Sequence, residues 1–144
     1  MGLDAKVRNT ILTVLVVLGA GYAGWSLLSI YTVRTYQPFL APARSLLTAA
    51  LARNSVRLAR QVADPRAVRW MLDGGNAAFL RTMQVGLRVG AGRRHGDTTL
   101  VAYDSRAVGQ CAGWPLVIFF TGPADVAEPR VERVAGGCRP LGHV

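Results

Sequence analysis

Few side chains in this 144-residue chain are equipped for chemistry. Cys111 and Cys138 are its only cysteines, and His95 and His143 its only histidines. In an exported domain the two cysteines read as one disulfide that ties a strand region to the C-terminal tail. In a reducing compartment they read as two free thiols. Closing the loop between them would contribute on the order of 3 kcal/mol through the unfolded chain. There is no C-x-x-C redox pair and no C-x-x-C-H haem attachment. His95 lies near Asp97, and His143 lies near Cys138, but neither spacing matches a standard metal site. No nucleophile elbow surrounds any serine. Gly90-Ala91-Gly92 is not followed by a helix start, so it makes a poor phosphate cradle. These residues assign no catalytic group, no metal and no cofactor, and the chain is read as a non-enzyme.

The arginines are the stronger signal. The chain has 17 basic residues against 8 acidic ones, a net charge of +9. Sixteen of the basic residues are Arg, and Lys6 is the single Lys. Six Arg fall between Arg44 and Arg69 with one acid, Asp64, among them. Arg53, Arg57 and Arg60 recur at i, i+4 and i+7, which predicts one helical face. Such a face is either simply solvated or docks on anionic lipid headgroups or an acidic partner surface. Nucleic acid is the weakest reading, because no helix-turn-helix, zinc or RNP pattern accompanies the charge.

The same chain is also apolar, with 51% hydrophobic residues and a mean hydropathy of +0.26. Charge and hydropathy must therefore be segregated. No charged residue lies between Arg8 and Arg34. Residues 10–33, TILTVLVVLGAGYAGWSLLSIYTV, would span about 36 Å as a helix at 1.5 Å per residue. A bilayer's hydrocarbon core is about 30 Å thick. The reading is a short basic tail over 1–9, a single transmembrane helix over 10–33, a linker over 34–42 and a small domain over 43–144. Lys6 and Arg8 with Gly21-Tyr22-Ala23 also resemble a signal peptide, but the apolar run continues well past those small residues, which favours an uncleaved anchor. The basic N-terminus favours a cytoplasmic start and a periplasmic domain at a bacterial inner membrane, while the Arg-rich stretch after the span favours the opposite; the first is the reading taken. Within the span, Gly19 with Ala23 and Ala20 with Gly24 are four apart, a spacing that lets another helix approach.

Pro38 and Pro42 are expected to end the membrane helix, with Pro42 able to open a new helix as its first residue. Beyond them, Leu47, Ala50 and Leu51, and then Leu58 and Val62, follow a helical period broken by a cap at Asn54-Ser55. Asp64-Pro65 opens another helix, which stops at Gly74-Gly75. From Met83 the period becomes two: Met83, Val85, Leu87 and Val89 alternate with polar or small residues, as in a half-buried strand. Gly90 to Gly96 reads as a turn. Thr98–Tyr103, Leu116–Thr121 (LVIFFT, central) and Arg130–Val134 read as further strands, with Val108–Ala112 a candidate partner. Helices followed by an antiparallel meander define an α+β domain.

The stretch SLLTAALARNSVRLARQVADPRAVRWML, with its polar break at Asn54-Ser55, followed by a meander, resembles the NTF2-like (cone-shaped) superfamily over Ala43 to Val134. That resemblance implies a membrane-tethered version of the fold. The fold hosts enzymes, binding modules and structural domains alike, so function must come from the site. The expectation is a non-enzymatic accessory subunit that packs in a larger bacterial membrane complex, with energy-transducing complexes, respiratory or photosynthetic, as the candidates. Its partners would be the bilayer and other membrane-protein subunits. The alternative is a tethered module that holds a small apolar or lipid ligand.

Overall fold

In the computed structural model, residues 4–108, 113–122 and 129–136 are described. The uncharged N-terminal run forms α1, Ala5–Tyr36, with no residue buried against the rest of the chain. It is the one helix among the described residues that is long and apolar enough to cross a membrane, with an 18-residue window of mean hydropathy 1.9. Its 32 residues rise about 48 Å. Thr10, Thr13, Thr32 and Thr35 donate their hydroxyls to carbonyls four residues back. No polar side-chain group of these residues then depends on water.

The expected linker over 34–42 is helical instead. Arg34, Thr35 and Tyr36 complete α1, Gln37–Phe39 form one 3₁₀ turn, and α2 begins at once, Leu40–Leu51. The prolines permit this because of where they fall. Pro38 lies in the first turn of the 3₁₀ segment, and Pro42 is the third residue of α2. The first N–H groups of a helix have no intrahelical acceptor, so losing one there costs little.

α2 buries Ala43, Leu46, Leu47, Ala49 and Ala50. It closes with Arg53 in the left-handed region, φ 55°. The Asn54 amide donates to the Ala49 carbonyl and the Arg53 amide to the Ala50 carbonyl, which is a Schellman closure. Asn54 then caps α3, Ser55–Gln61, by accepting from the Arg57 amide at 3.0 Å. Asp64 caps α4, Pro65–Leu72, by accepting from the Arg66 amide at 2.9 Å. Both caps match the sequence expectation. A 3₁₀ turn over Gly74–Asn76 leads into α5, Ala77–Gln84.

Helix α5 corrects the reading of a strand from Met83. Leu80 and Met83 are buried at helical spacing, and the chain reverses at Gly86, φ 77°. The apparent alternation joined the end of a helix to the start of a strand. Ser105, buried, sets its hydroxyl against the carbonyls of Thr82 and Val85 and so holds this corner.

Strand β1 is Leu87–His95, β2 Thr98–Ser105, β3 Leu116–Thr121 and β4 Arg130–Gly136. They pair antiparallel in the order β1-β2-β3-β4. The expected turn over Gly90–Gly96 is therefore mostly strand. The hairpin loop is only Gly96-Asp97, and Gly90 lies at a bulge between Val89 and Ala91. β3 is central, as its apolar run implies. Val108 lies outside any strand, and 109–112 are outside the described residues.

One sheet face carries Val89, Val101, Tyr103, Ile118, Phe120 and Val131 into a core shared with Leu46, Leu47, Leu58, Met71, Leu80 and Met83. The helices cover that face, which gives a two-layer α+β domain. Val62 bridges Val131 in parallel, and the Ala63 amide donates to the Val131 carbonyl at 2.8 Å, which ties the α3–α4 turn to the β4 edge.

Each cap is an independent contributor. Asn54→Ala and Asp64→Ala should each lower unfolding free energy by about 1 kcal/mol. Denaturant titration of the full chain in detergent should show a lower midpoint at unchanged slope for both.

Candidate functional site

Three aromatic residues join α1 to the domain. Tyr36, the last residue of α1, lies against Gly92 of β1 so closely that a Cβ at Gly92 would overlap its ring. Phe39, in the 3₁₀ turn, packs on Phe120 with ring centroids 5.0 Å apart and on Tyr36 at 6.4 Å. Tyr103 rises from the core of β2 and donates its hydroxyl to the Phe39 carbonyl at 2.8 Å. That bond occupies a carbonyl at the junction of the 3₁₀ turn and α2. Burial pushes the Tyr103 phenol well above its ordinary range. The hydroxyl therefore stays protonated and remains a donor. The joint is thus both packed and hydrogen-bonded, and α1 runs into the domain without a flexible linker.

Sequence reading missed these residues. The one available signal was Gly92 inside a strand, which marks a close approach to the backbone. Its neighbour Gly90 does the same on the opposite face, where Trp114 covers it. Gly90-Ala91-Gly92 is thus a pair of seats for aromatic rings.

The expected single face of Arg53, Arg57 and Arg60 is not formed. The Schellman closure at Arg53 breaks the helical phase between Arg53 and the other two. Arg53 turns toward the end of α4 and donates from Nη2 to the Leu72 carbonyl at 3.1 Å. Arg57 donates from Nη2 to the Ser45 hydroxyl at 2.9 Å. Arg60 lines a cavity instead. Among the described residues the one ion pair is Arg88 with Asp104, 2.6 Å across the β1–β2 ladder.

The cavity, about 540 Å³, opens between the start of α2, the end of α3 and the start of β4. Ser45, Arg60, Gln61 and Arg130 supply its polar lining, and Pro42, Leu46 and Val131 part of its apolar lining. The Gln61 amide nitrogen donates to Ser45 at 3.3 Å. The Gln61 carbonyl oxygen is buried and has no partner among the described residues.

Other expected positions stay apart. Gly19, Ala20, Ala23 and Gly24 lie on the bare part of α1, and an added Cβ at Gly19 or Gly24 would meet no atom within 4 Å. His95 is exposed at the end of β1, beside a second concavity shared with Asp64, Arg93 and Arg133. Cys111, Cys138 and His143 lie outside the described residues. Among the described residues no group of three His, Cys, Asp or Glu side chains is placed to hold a metal ion. Compared with protein-family models, curated proteins and solved structures, the chain matches none.

The joint makes a prediction with a pH signature. Tyr103→Phe should cost about 1 kcal/mol, because the bond from the sheet to the Phe39 carbonyl is lost while that carbonyl keeps its N-cap place at the start of α2. In the wild type the folded-state pKa of Tyr103 is raised, so its contribution is fully present below the unfolded value of about 10 and is lost as pH rises beyond it. Stability measured in detergent from pH 8 to 11 should fall less steeply for the variant.

Proposed function

We propose that this chain is a single-pass, non-enzymatic accessory subunit that packs in a larger bacterial membrane complex, of the energy-transducing kind, respiratory or photosynthetic. One observation carries the reading: the anchor is locked to the domain by Tyr36 on Gly92 and by Tyr103 on the Phe39 carbonyl. A tether that only retains a domain near a membrane works with a flexible linker. A seamless helix with a packed joint sets the azimuth and height of the domain, which matters when neighbouring subunits must meet it.

In this reading α1 is bare because its partners lie in the bilayer. Gly19, Ala20, Ala23 and Gly24 give a neighbouring helix a close approach. Arg57 and Arg60 meet anionic headgroups or an acidic subunit surface. The N-terminus lies in the cytoplasm and the domain in the periplasm of the inner membrane, and the domain is a tethered NTF2-like module. The order of helices followed by a four-strand meander supports that last assignment.

Extraction in mild detergent followed by native-gel mass spectrometry tests the proposal. The chain should migrate with stoichiometric membrane partners. Ala23→Leu should reduce partner recovery severalfold without lowering the amount of anchored chain. Migration of the wild type alone would refute the assembly reading. Labelling a single engineered cysteine at exposed Arg106 in intact cells tests orientation, and protection from an impermeant reagent would refute a periplasmic domain.

A further inference from the structure

We infer that the cavity between α2, α3 and β4 is a binding site for a phosphorylated polyol, a phosphate ester that carries a free hydroxyl. The inference goes beyond the assembly reading and stands independently of it.

The donors argue for an anion. Arg60 and Arg130 approach the cavity from different elements. Arg57 reaches Ser45 on its wall. No carboxylate among the described residues pairs with any of the three. The Ser45 oxygen already accepts from Arg57 and from Gln61, so its own proton remains to be donated. A planar carboxylate satisfies one guanidinium fork. A tetrahedral phosphate, monoester or diester, points its oxygens in different directions, so guanidinium groups that approach from different elements can each reach one.

The acceptor argues for the polyol. The buried Gln61 carbonyl oxygen lacks a donor among the described residues. An unmet buried acceptor is costly. Phosphate alone, rich in acceptors, does not relieve it, whereas a ligand hydroxyl does once the Gln61 side chain turns its carbonyl oxygen toward the cavity. The apolar wall of Pro42, Leu46 and Val131 suits a short carbon chain between the two groups. The volume, about 540 Å³, lies within the usual range for small-ligand sites, about 300–1,000 Å³.

Position admits two sources for the ligand. Pro42 follows the end of α1 by six residues, about 9 Å along a helix. Both a glycerophospholipid headgroup and a soluble sugar or glycerol phosphate carry the required chemistry, and both can reach a site at that height.

The test uses the full chain. In zwitterionic detergent, calorimetry with glycerol 3-phosphate and with inorganic phosphate measures the soluble source. In nanodiscs of phosphatidylglycerol or phosphatidylcholine, native mass spectrometry measures retained lipid. Saturable binding of glycerol 3-phosphate, tighter than inorganic phosphate, is expected if the ligand is soluble. Selective retention of phosphatidylglycerol without binding of the free ester would identify the headgroup as the source. Arg60→Gln with Arg130→Gln should weaken either signal about tenfold or more, and Arg93→Gln should not. Gln61→Leu should abolish the preference for the glycerol ester while leaving phosphate binding in place. Circular dichroism and the thermal midpoint check that each variant is folded. Failure of both sources, or equal binding by the Arg60 and Arg130 double variant, would overturn the site. Partner recovery on native gels is read separately, so loss of the site leaves the assembly proposal standing.

Discussion

The Tyr103 hydroxyl on the Phe39 carbonyl is the contact on which the arrangement of this molecule depends. Between α1 and α2 the regular i to i−4 ladder gives way to a 3₁₀ turn, and the Phe39 carbonyl at its end opens α2 as N-cap. Tyr103 adds a second donor to that carbonyl from the interior of the sheet. Its depth explains both its reach and its raised pKa, because the same burial that denies water to the phenol keeps its proton in place. Tyr36 on Gly92 and Phe39 on Phe120 surround that bond with apolar contact. Domain orientation is therefore a property of the core and does not rest on a separate linker.

The parts of the fold legible in the sequence are those that local chemistry decides. Asn54 and Asp64 cap helices because their side chains accept from amides two or three residues on. Leu116–Thr121 reads as a central strand because both of its sides are apolar. The misread parts are places where local signals conflict. Pro38 and Pro42 signal a break, yet each sits where a helix does not need its N–H. Met83 to Val89 alternates, yet Leu80 and Met83 are buried by a helix. Arg53 keeps helical spacing with Arg57, yet its left-handed backbone ends the helix between them.

The candidate site was less legible, for a different reason. Ser45, Gln61 and Arg130 come from α2, α3 and β4, and nothing in their spacing predicts that they converge. What brings them together is the Val62–Val131 bridge, a contact between a turn and a sheet edge. The only hints available in sequence were compositional: excess Arg on residues after the span, and a glycine pair in a strand. Both point to a close approach or a charged surface, and neither names the residue on the other side.

Charge and joint act on each other. Residues 34–144 carry 15 Arg against 7 acids, and among the described residues only Arg88 is neutralised by an ion pair. Solvated surface arginines cost little to leave unpaired. Near an anionic bilayer each is worth about 1 kcal/mol of attraction, within a Debye length of the surface. A domain on a flexible linker would roll until its most basic face met the headgroups. Here the packed joint opposes rolling, so the sector of the domain beside the end of α1 is chosen by Tyr36 and Gly92. The start of α2 lies in that sector because it continues directly from the joint. Arg60 and Arg130 share a cavity with it. Arg53 is held at the end of α4 by the Leu72 carbonyl. The same guanidinium chemistry is thus divided by geometry, with Arg53 closing a helix end and Arg60 and Arg130 lining a cavity without a carboxylate partner among the described residues.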